Sequence, residues 1–296
     1  MTVPSFRHQT ILLLQRQAHA AAREERIMKM AGIITDIVQS DKNLPKTSVS
    51  DFKTQFLALP PGKAREDLIY TAAIQQGKPT NLVPVTIDGP NGSKITYKVM
   101  PDFFMIDGLR VTASPLTAQK IADHFGMMLP TAKMAQQIYQ AADTKIRAIP
   151  LSSSGYTGTD GKFYSGAEVV KNHINSSDAA VHYNNLTDQE IAKKTNGNVG
   201  LIAGHGKEIV QPLGNSKDVS FGGWEGSDGK PLQPYTTAHK NSSDSHSEYA
   251  MYFRGIGNEV KVQGANGEIV NASINDLMKN PEFSKYLSND GKINSY

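Results

Sequence analysis

The chain has 296 residues, no cysteine, and 31 Lys plus Arg against 28 Asp plus Glu, a formal net charge of +3. Without a thiol it has no disulfide, thiolate nucleophile, iron–sulfur cluster or Cys-ligated zinc, so covalent chemistry must use Ser, Thr, Lys, Tyr, Asp, Glu or His. The basic residues are scattered with no interleaved aromatics, which points away from nucleic acid, and no apolar run reaches 18 residues, so no membrane span is expected.

Met1–Ala22 carries Arg7, the short apolar run Ile11–Leu14 and Ala20–Ala22, an outline of a signal peptide. Gln15, Arg16 and Gln17 interrupt it, so residues 5–40 read as one long helix with Ile27, Met30, Ile34 and Ile37 on a single stripe. Export to the periplasm or beyond, with the signal outside this chain, is the expected location; a cytoplasmic one stays open. Shorter helices are expected over Ser50–Leu57 and Ala64–Gln76, separated by Pro60-Pro61-Gly62.

The pattern then changes to β. Val83–Ile87 and Ile95–Met100 flank Asp88–Gly92, a hairpin signal, and Phe103–Ile106 with Leu109–Val111 flank Asp107-Gly108. Ser114 as N-cap, Pro115 at N1 and Gly126 at C′ bracket a helix, and another starts near Pro130-Thr131 with Met134 and Ile138 facing the core. Residues 150–165 read as a surface loop. Short helices are expected at Ala167–Ile174 and Asp188–Lys194, and Val199–Ala203 reads as a buried strand. A hairpin around Asn266-Gly267 and helices over Ile274–Lys279, capped by Ser273, and Pro281–Leu287 close the chain. The fold class is therefore α+β: a helical N-terminal region, 1–80, packed on a mixed α/β domain, 81–296, with a largely antiparallel sheet.

Polar residues of catalytic type crowd into 205–248: His205, Lys207, Glu225, His239, Asp244 and His246, together with Trp224, Gln233 and Tyr235. His246 titrates near neutrality and suits acid/base work, Asp244 or Glu225 would orient it, and Lys207 would polarise the substrate. His205 completes the catalytic set. Gln233, His239, Trp224 and Tyr235 would bind substrate, the last two as an aromatic floor. Ser245 adjoins His246 and cannot pair with it in a strand, Gly-x-Ser-x-Gly is absent, and no phosphate-binding glycine loop occurs. His239, Asp244, His246 and Glu248 match no metal-ligand spacing, so neither metal nor cofactor is expected.

From about residue 95 onward the chain resembles an uncharacterised family of bacterial proteins. The resemblance rests on Pro101-Asp102-Phe103-Phe104, Thr117–Asp123, Leu129-Pro130-Thr131-Ala132-Lys133-Met134, Gly222-Gly223-Trp224-Glu225, Gly229–Pro234 and Asp244-Ser245-His246. That family has no assigned reaction. Glu225 stands where its pattern has histidine, and Met127 where it often has cysteine. A cysteine there with a later histidine would imply a papain-like hydrolase, and this chain would then be inactive or use another nucleophile. The expected function is a hydrolase of a cell-wall or extracellular polymer, glycan or peptide, with His-centred acid/base catalysis. The alternative is a non-catalytic polymer-binding or interaction module using the same cleft. The partner is the polymeric or small-molecule substrate; oligomeric state is not specified by the sequence.

Overall fold

The computed structural model describes residues 51–196, 200–211, 220–237 and 247–289, all within the unit Thr47–Tyr296. The expected helix over 5–40 and the candidates His239, Asp244 and His246 lie outside these residues. Helices α1 (Phe52–Ala58) and α2 (Lys63–Gln76) form on either side of Pro60-Pro61-Gly62. Phe52 and Phe56, four apart on one face, and Ile69, Ala72 and Ala73 are buried in a core shared with Phe104, Val111, Ile209 and Phe253. The residues before 80 and those after it thus contribute side chains to one core.

Strands β1 (Val83–Asp88) and β2 (Lys94–Val99) pair antiparallel from Val83 opposite Val99 to Asp88 opposite Lys94. Alternation along β2 turns Ile95, Tyr97 and Val99 inward and Lys94 and Lys98 outward. The hairpin β3 (Met105–Ile106) and β4 (Leu109–Arg110) turns through Asp107 and Gly108, both with positive φ, as a two-residue primed turn requires. Helix α3 (Pro115–His124) starts at Ser114, whose hydroxyl accepts from Thr117 N, and ends before Gly126 at φ 60°. Strand β5 (Met127–Met128) leads to α4 (Ala132–Ala141), capped by Thr131. The expectations for these elements follow the chain closely because their signals are local.

The middle of the chain departs further from expectation. Residues 150–165 form no plain loop but a short helix, α5 (Leu151–Ser154), and a hairpin of β7 (Tyr156–Thr157) with β8 (Phe163–Tyr164). Strand β6 (Thr144–Lys145) precedes them. After α6 (Gly166–Glu168) and a π turn over Val169–His173, helix α7 runs for 19 residues, Ser177–Thr195, so the helix expected over Asp188–Lys194 is only its last part. Its Asn and Thr content is unfavourable to helix; burial of Ala179, Ala180, Tyr183, Asn184, Thr187 and Ile191 along one face overrides that propensity.

Of the strand expected at 199–203, only β9 (Ile202–Ala203) forms among the described residues. The segment beyond it, for which no element was expected, carries a second sheet. Strands β10 (Lys207–Val210), β11 (Ser220–Glu225), β12 (Pro231–Thr237) and β13 (Met251–Tyr252) lie in the order β12-β11-β10-β13, antiparallel except for β10 with β13. Strands β14 (Ile256–Gln263) and β15 (Ile269–Ser273) complete the first sheet, β1-β2-β14-β15, with β5 also on β14. Helices α8 (Ile274–Lys279) and α9 (Pro281–Leu287) supply Ile274, Met278 and Leu287 to the core that β2, β14 and α4 also line. The class is α+β with mostly antiparallel sheets.

The polar centre of the fold is the Asp102 carboxylate. It accepts from Phe103 N (2.6 Å), from His205 Nε2 (2.9 Å) and from Arg110 Nε and Nη2 (3.1 and 2.6 Å). Arg110 Nη1 reaches Asp188 (2.6 Å) and the Asn184 side-chain oxygen (3.1 Å). Burial alone would raise the Asp102 pKa; the hydrogen bond from His205 and the Arg110 guanidinium overcome it and hold the carboxyl well below its ordinary range. Removing the cation would strand two carboxylates, one of them buried. Arg110→Met is therefore expected to destabilise the fold by about 3–5 kcal/mol, read from urea unfolding. Lys94→Met, which breaks the solvent-exposed pair with Asp88, should leave the midpoint nearly unchanged. Equal effects of the two substitutions would refute the central role of Asp102.

Candidate functional site

Strand β11 decides where the candidate residues point. Its pairing with β10 sets Lys207 opposite Gly223, Glu208 opposite Gly222 and Ile209 opposite Phe221. Strict alternation would then carry Trp224 to the Glu208 side. Instead Gly223 and Trp224 take left-handed φ values of 88° and 58°, and the register with β12 shifts between Phe221 and Gly223. The kink returns Trp224 to the core with Phe221 and Ile209. A positive φ in tryptophan is a strained conformation, of the kind that concentrates at functional positions. Gly222 is required as well, since a Cβ there would lie 2.7 Å from the Tyr235 backbone.

Trp224 is accordingly not an open aromatic floor. It is 8% exposed, its indole N–H donates to Tyr183 Oη (2.6 Å), and Tyr249 packs edge-on at 6.0 Å. The floor role is corrected on this point: the indole is spent on core packing. Lys207 lies on the same side, with Nζ 5.2 Å from the Trp224 ring and ion-paired to Glu248. It is a buried cation held by a carboxylate and an aromatic face.

His205 is separate from this group. It is fully buried, its ring tilted against Phe103 with centroids 4.5 Å apart, and bonded through Nε2 to Asp102, while Nδ1 has no hydrogen-bond partner among the described residues. Burial pushes its pKa below the ordinary value, against the pull of Asp102, so the ring is neutral at pH 7. Its environment is that of a core histidine, not of a group facing Lys207. On the opposite side of β10, Glu208 forms a buried ion pair with Arg254 (2.8 Å).

Glu225 turns to that opposite side too, with a different environment. It is 5% exposed, and its Oε2 has no hydrogen-bond partner among the described residues. Its backbone is pinned, with N donating to Gly204 O (3.0 Å) and O accepting from Ala148 N (2.8 Å). The loop joining β11 to β12 bends back with Gly226 N on Lys230 O (2.8 Å) and Lys230 N on the Asp228 carboxylate (3.1 Å), which brings exposed Asp228 round beside Glu225. Burial first, and the Asp228 charge second, raise the Glu225 pKa from 4.5 to about 7. Tyr139 of α4 borders the same place: burial, then the charges of Glu225 and Asp228, raise its phenol, and Lys145 Nζ lies 5.4 Å over its ring. Tyr235 is half-buried, with its hydroxyl against Gly223. Burial, then Glu208 and Glu225, push that hydroxyl well up. Gln233, also half-buried, pairs with Gly223 in the strand register.

The described candidates thus divide three ways: His205 with Asp102, Lys207 with Trp224 and Glu248, and Glu225 with Asp228, Tyr139 and Tyr235. Sequence reasoning passed over Asp228 and Tyr139. Asp228-Gly229 is a turn dipeptide, and it becomes legible once Ser220–Glu225 is known to be a strand. Among the described residues no group of three or more His, Asp or Glu could hold a metal ion. No family model, curated protein or solved structure matches the chain.

The Glu225 environment has a measurable consequence for stability. The folded-state pKa lies above the unfolded one, so the folded protein binds the extra proton between pH 4.5 and about 7. Stability from this group is full below pH 4.5 and is lost as pH rises through 7. In Glu225→Gln that loss disappears, so the variant gains on the wild type steadily across this window in denaturant melts. Parallel pH profiles for the two proteins would contradict the assigned environment.

Proposed function

We propose that the protein is a glycan hydrolase acting on a cell-wall or extracellular polymer, with Glu225 as the proton donor. The observation that carries this reading is the pair Glu225 and Asp228. One carboxyl is buried, has an oxygen without a partner among the described residues and holds its proton to about pH 7; the other is exposed, on the loop beside it. A buried acid that holds its proton, with a second, exposed carboxyl beside it, is what glycoside cleavage demands. The protonated one gives its proton to the glycosidic oxygen as the C–O bond breaks. Asp228 stabilises the positive charge developing at the anomeric carbon or draws the proton from the attacking water. Tyr139, partly exposed beside them, offers a ring face to a sugar. Pinning by Gly204 and Ala148 keeps the Glu225 backbone in place without loop movement.

This reading replaces a histidine by a carboxyl as the acid. The role first read for His246 with Asp244 falls on residues outside those described and is tested separately by His246→Ala. Glu225→Gln is expected to lower turnover of solubilised bacterial cell-wall glycan by roughly 10²–10⁴-fold, and wild-type turnover should fall as pH rises above about 7. Undiminished turnover in Glu225→Gln, with loss in His246→Ala, would return the assignment to the histidine.

A further inference from the structure

A second place in the fold carries unspent recognition chemistry. A cavity of about 250 Å³ lies where the C-terminal part of α3, the end of β10, β14 and the start of α8 meet. Four carboxamides line it: Gln119, Gln211, Asn258 and Asn275. Gln119 Nε2 donates to Asp123 (2.7 Å), and Gln211 Nε2 donates to Gln119 Oε1 (3.3 Å). Gln211 is 4% exposed, and its own carbonyl oxygen makes no hydrogen bond among the described residues. The side-chain amides of Asn258 and Asn275 make none there either. Each carboxamide offers two N–H donors and one carbonyl acceptor, so most of the set's capacity is directed at whatever enters.

The lining limits what that is. Among the described residues Asp123 is the one ionisable group on the wall, with no cation there to receive an anion. Gly126, Met127 and Met128 complete the lining. The volume falls below the range that holds drug-sized ligands, so the site suits one small unit. Sugar hydroxyls each donate and accept, and a pyranose ring has an apolar C–H face; this combination matches paired carboxamides beside uncharged Gly126, Met127 and Met128. The geometry points to a binding site for a single neutral sugar residue, held by Gln119, Gln211, Asn258 and Asn275. The site shares with the proposed function the class of substrate, a glycan, but its occupancy does not depend on Glu225.

The test titrates N-acetylglucosamine, glucose and glucuronate into the whole protein by ligand-observed NMR and calorimetry. Wild type, the double variant Asn258→Ala/Asn275→Ala and Glu225→Gln are compared. Asn258 is exposed and Asn275 half-exposed, so the double variant should fold, and its circular dichroism verifies this. The expected result is saturable binding of a neutral sugar, weakened roughly tenfold or more in the double variant and unchanged in Glu225→Gln, with glucuronate weaker because of Asp123. Asp123→Asn should then recover glucuronate binding. No saturable binding to wild type, or equal binding by the double variant, would overturn the site. Binding that persists while Glu225→Gln keeps full turnover would refute the hydrolase reading alone.

Discussion

One carboxylate, Asp102, organises the part of the molecule where the chemistry sits. It gathers a backbone N–H, a neutral imidazole and a guanidinium from positions 103, 205 and 110, and Arg110 passes the contact on to Asn184 and Asp188 of α7. The link continues through the backbone: His205 O accepts from Tyr183 Oη (2.6 Å), and Tyr183 accepts from the Trp224 indole. A continuous hydrogen-bonded path thus joins the β3–β4 hairpin, α7 and the end of β11. A buried charged network of this kind stabilises weakly against an apolar substitute, yet losing any single member strands a charge. Its effect is to fix one arrangement of the elements it joins.

That arrangement positions the candidate acid. With Trp224 locked to Tyr183, the left-handed residues Gly223 and Trp224 are held in place, and Glu225, the next residue, must project from the other side of the sheet. There it meets α4, Tyr139 and the returning loop with Asp228. The strain at Trp224 and the desolvation of Glu225 are two consequences of one kink. Neither is compensated locally; both are maintained by the packing of Phe221, Tyr183 and Tyr249 around the indole.

Local signals were readable from sequence and long-range ones were not. Ser114 with Pro115, Thr131 and Ser273 announce their helices because a cap bonds within its own first turn. The β14–β15 hairpin announces itself through Asn266-Gly267. Strand β11 does not, since Ser220-Phe221-Gly222-Gly223-Trp224-Glu225 lacks a β-branched run and becomes a strand through its neighbours β10 and β12. The window 205–225 contains residues of the candidate site, yet His205, Lys207 and Glu225 face three environments. Their separation follows from contacts to Asp102, Glu248 and Asp228, residues 103, 41 and 3 positions away respectively. Only the last of these is near enough in sequence to have been guessed.

The central claim is that Glu225, buried beside the Asp228 side chain, keeps its proton to about pH 7. Carbon-13 NMR of the side-chain carboxyls, with Glu225 assigned through Glu225→Gln, follows that proton directly as pH is varied. A titration midpoint for Glu225 of about 7, moving down in Asp228→Asn as the neighbouring charge is removed, is the predicted result. A midpoint at the ordinary carboxylate value of 4.5, indifferent to Asp228, would contradict it.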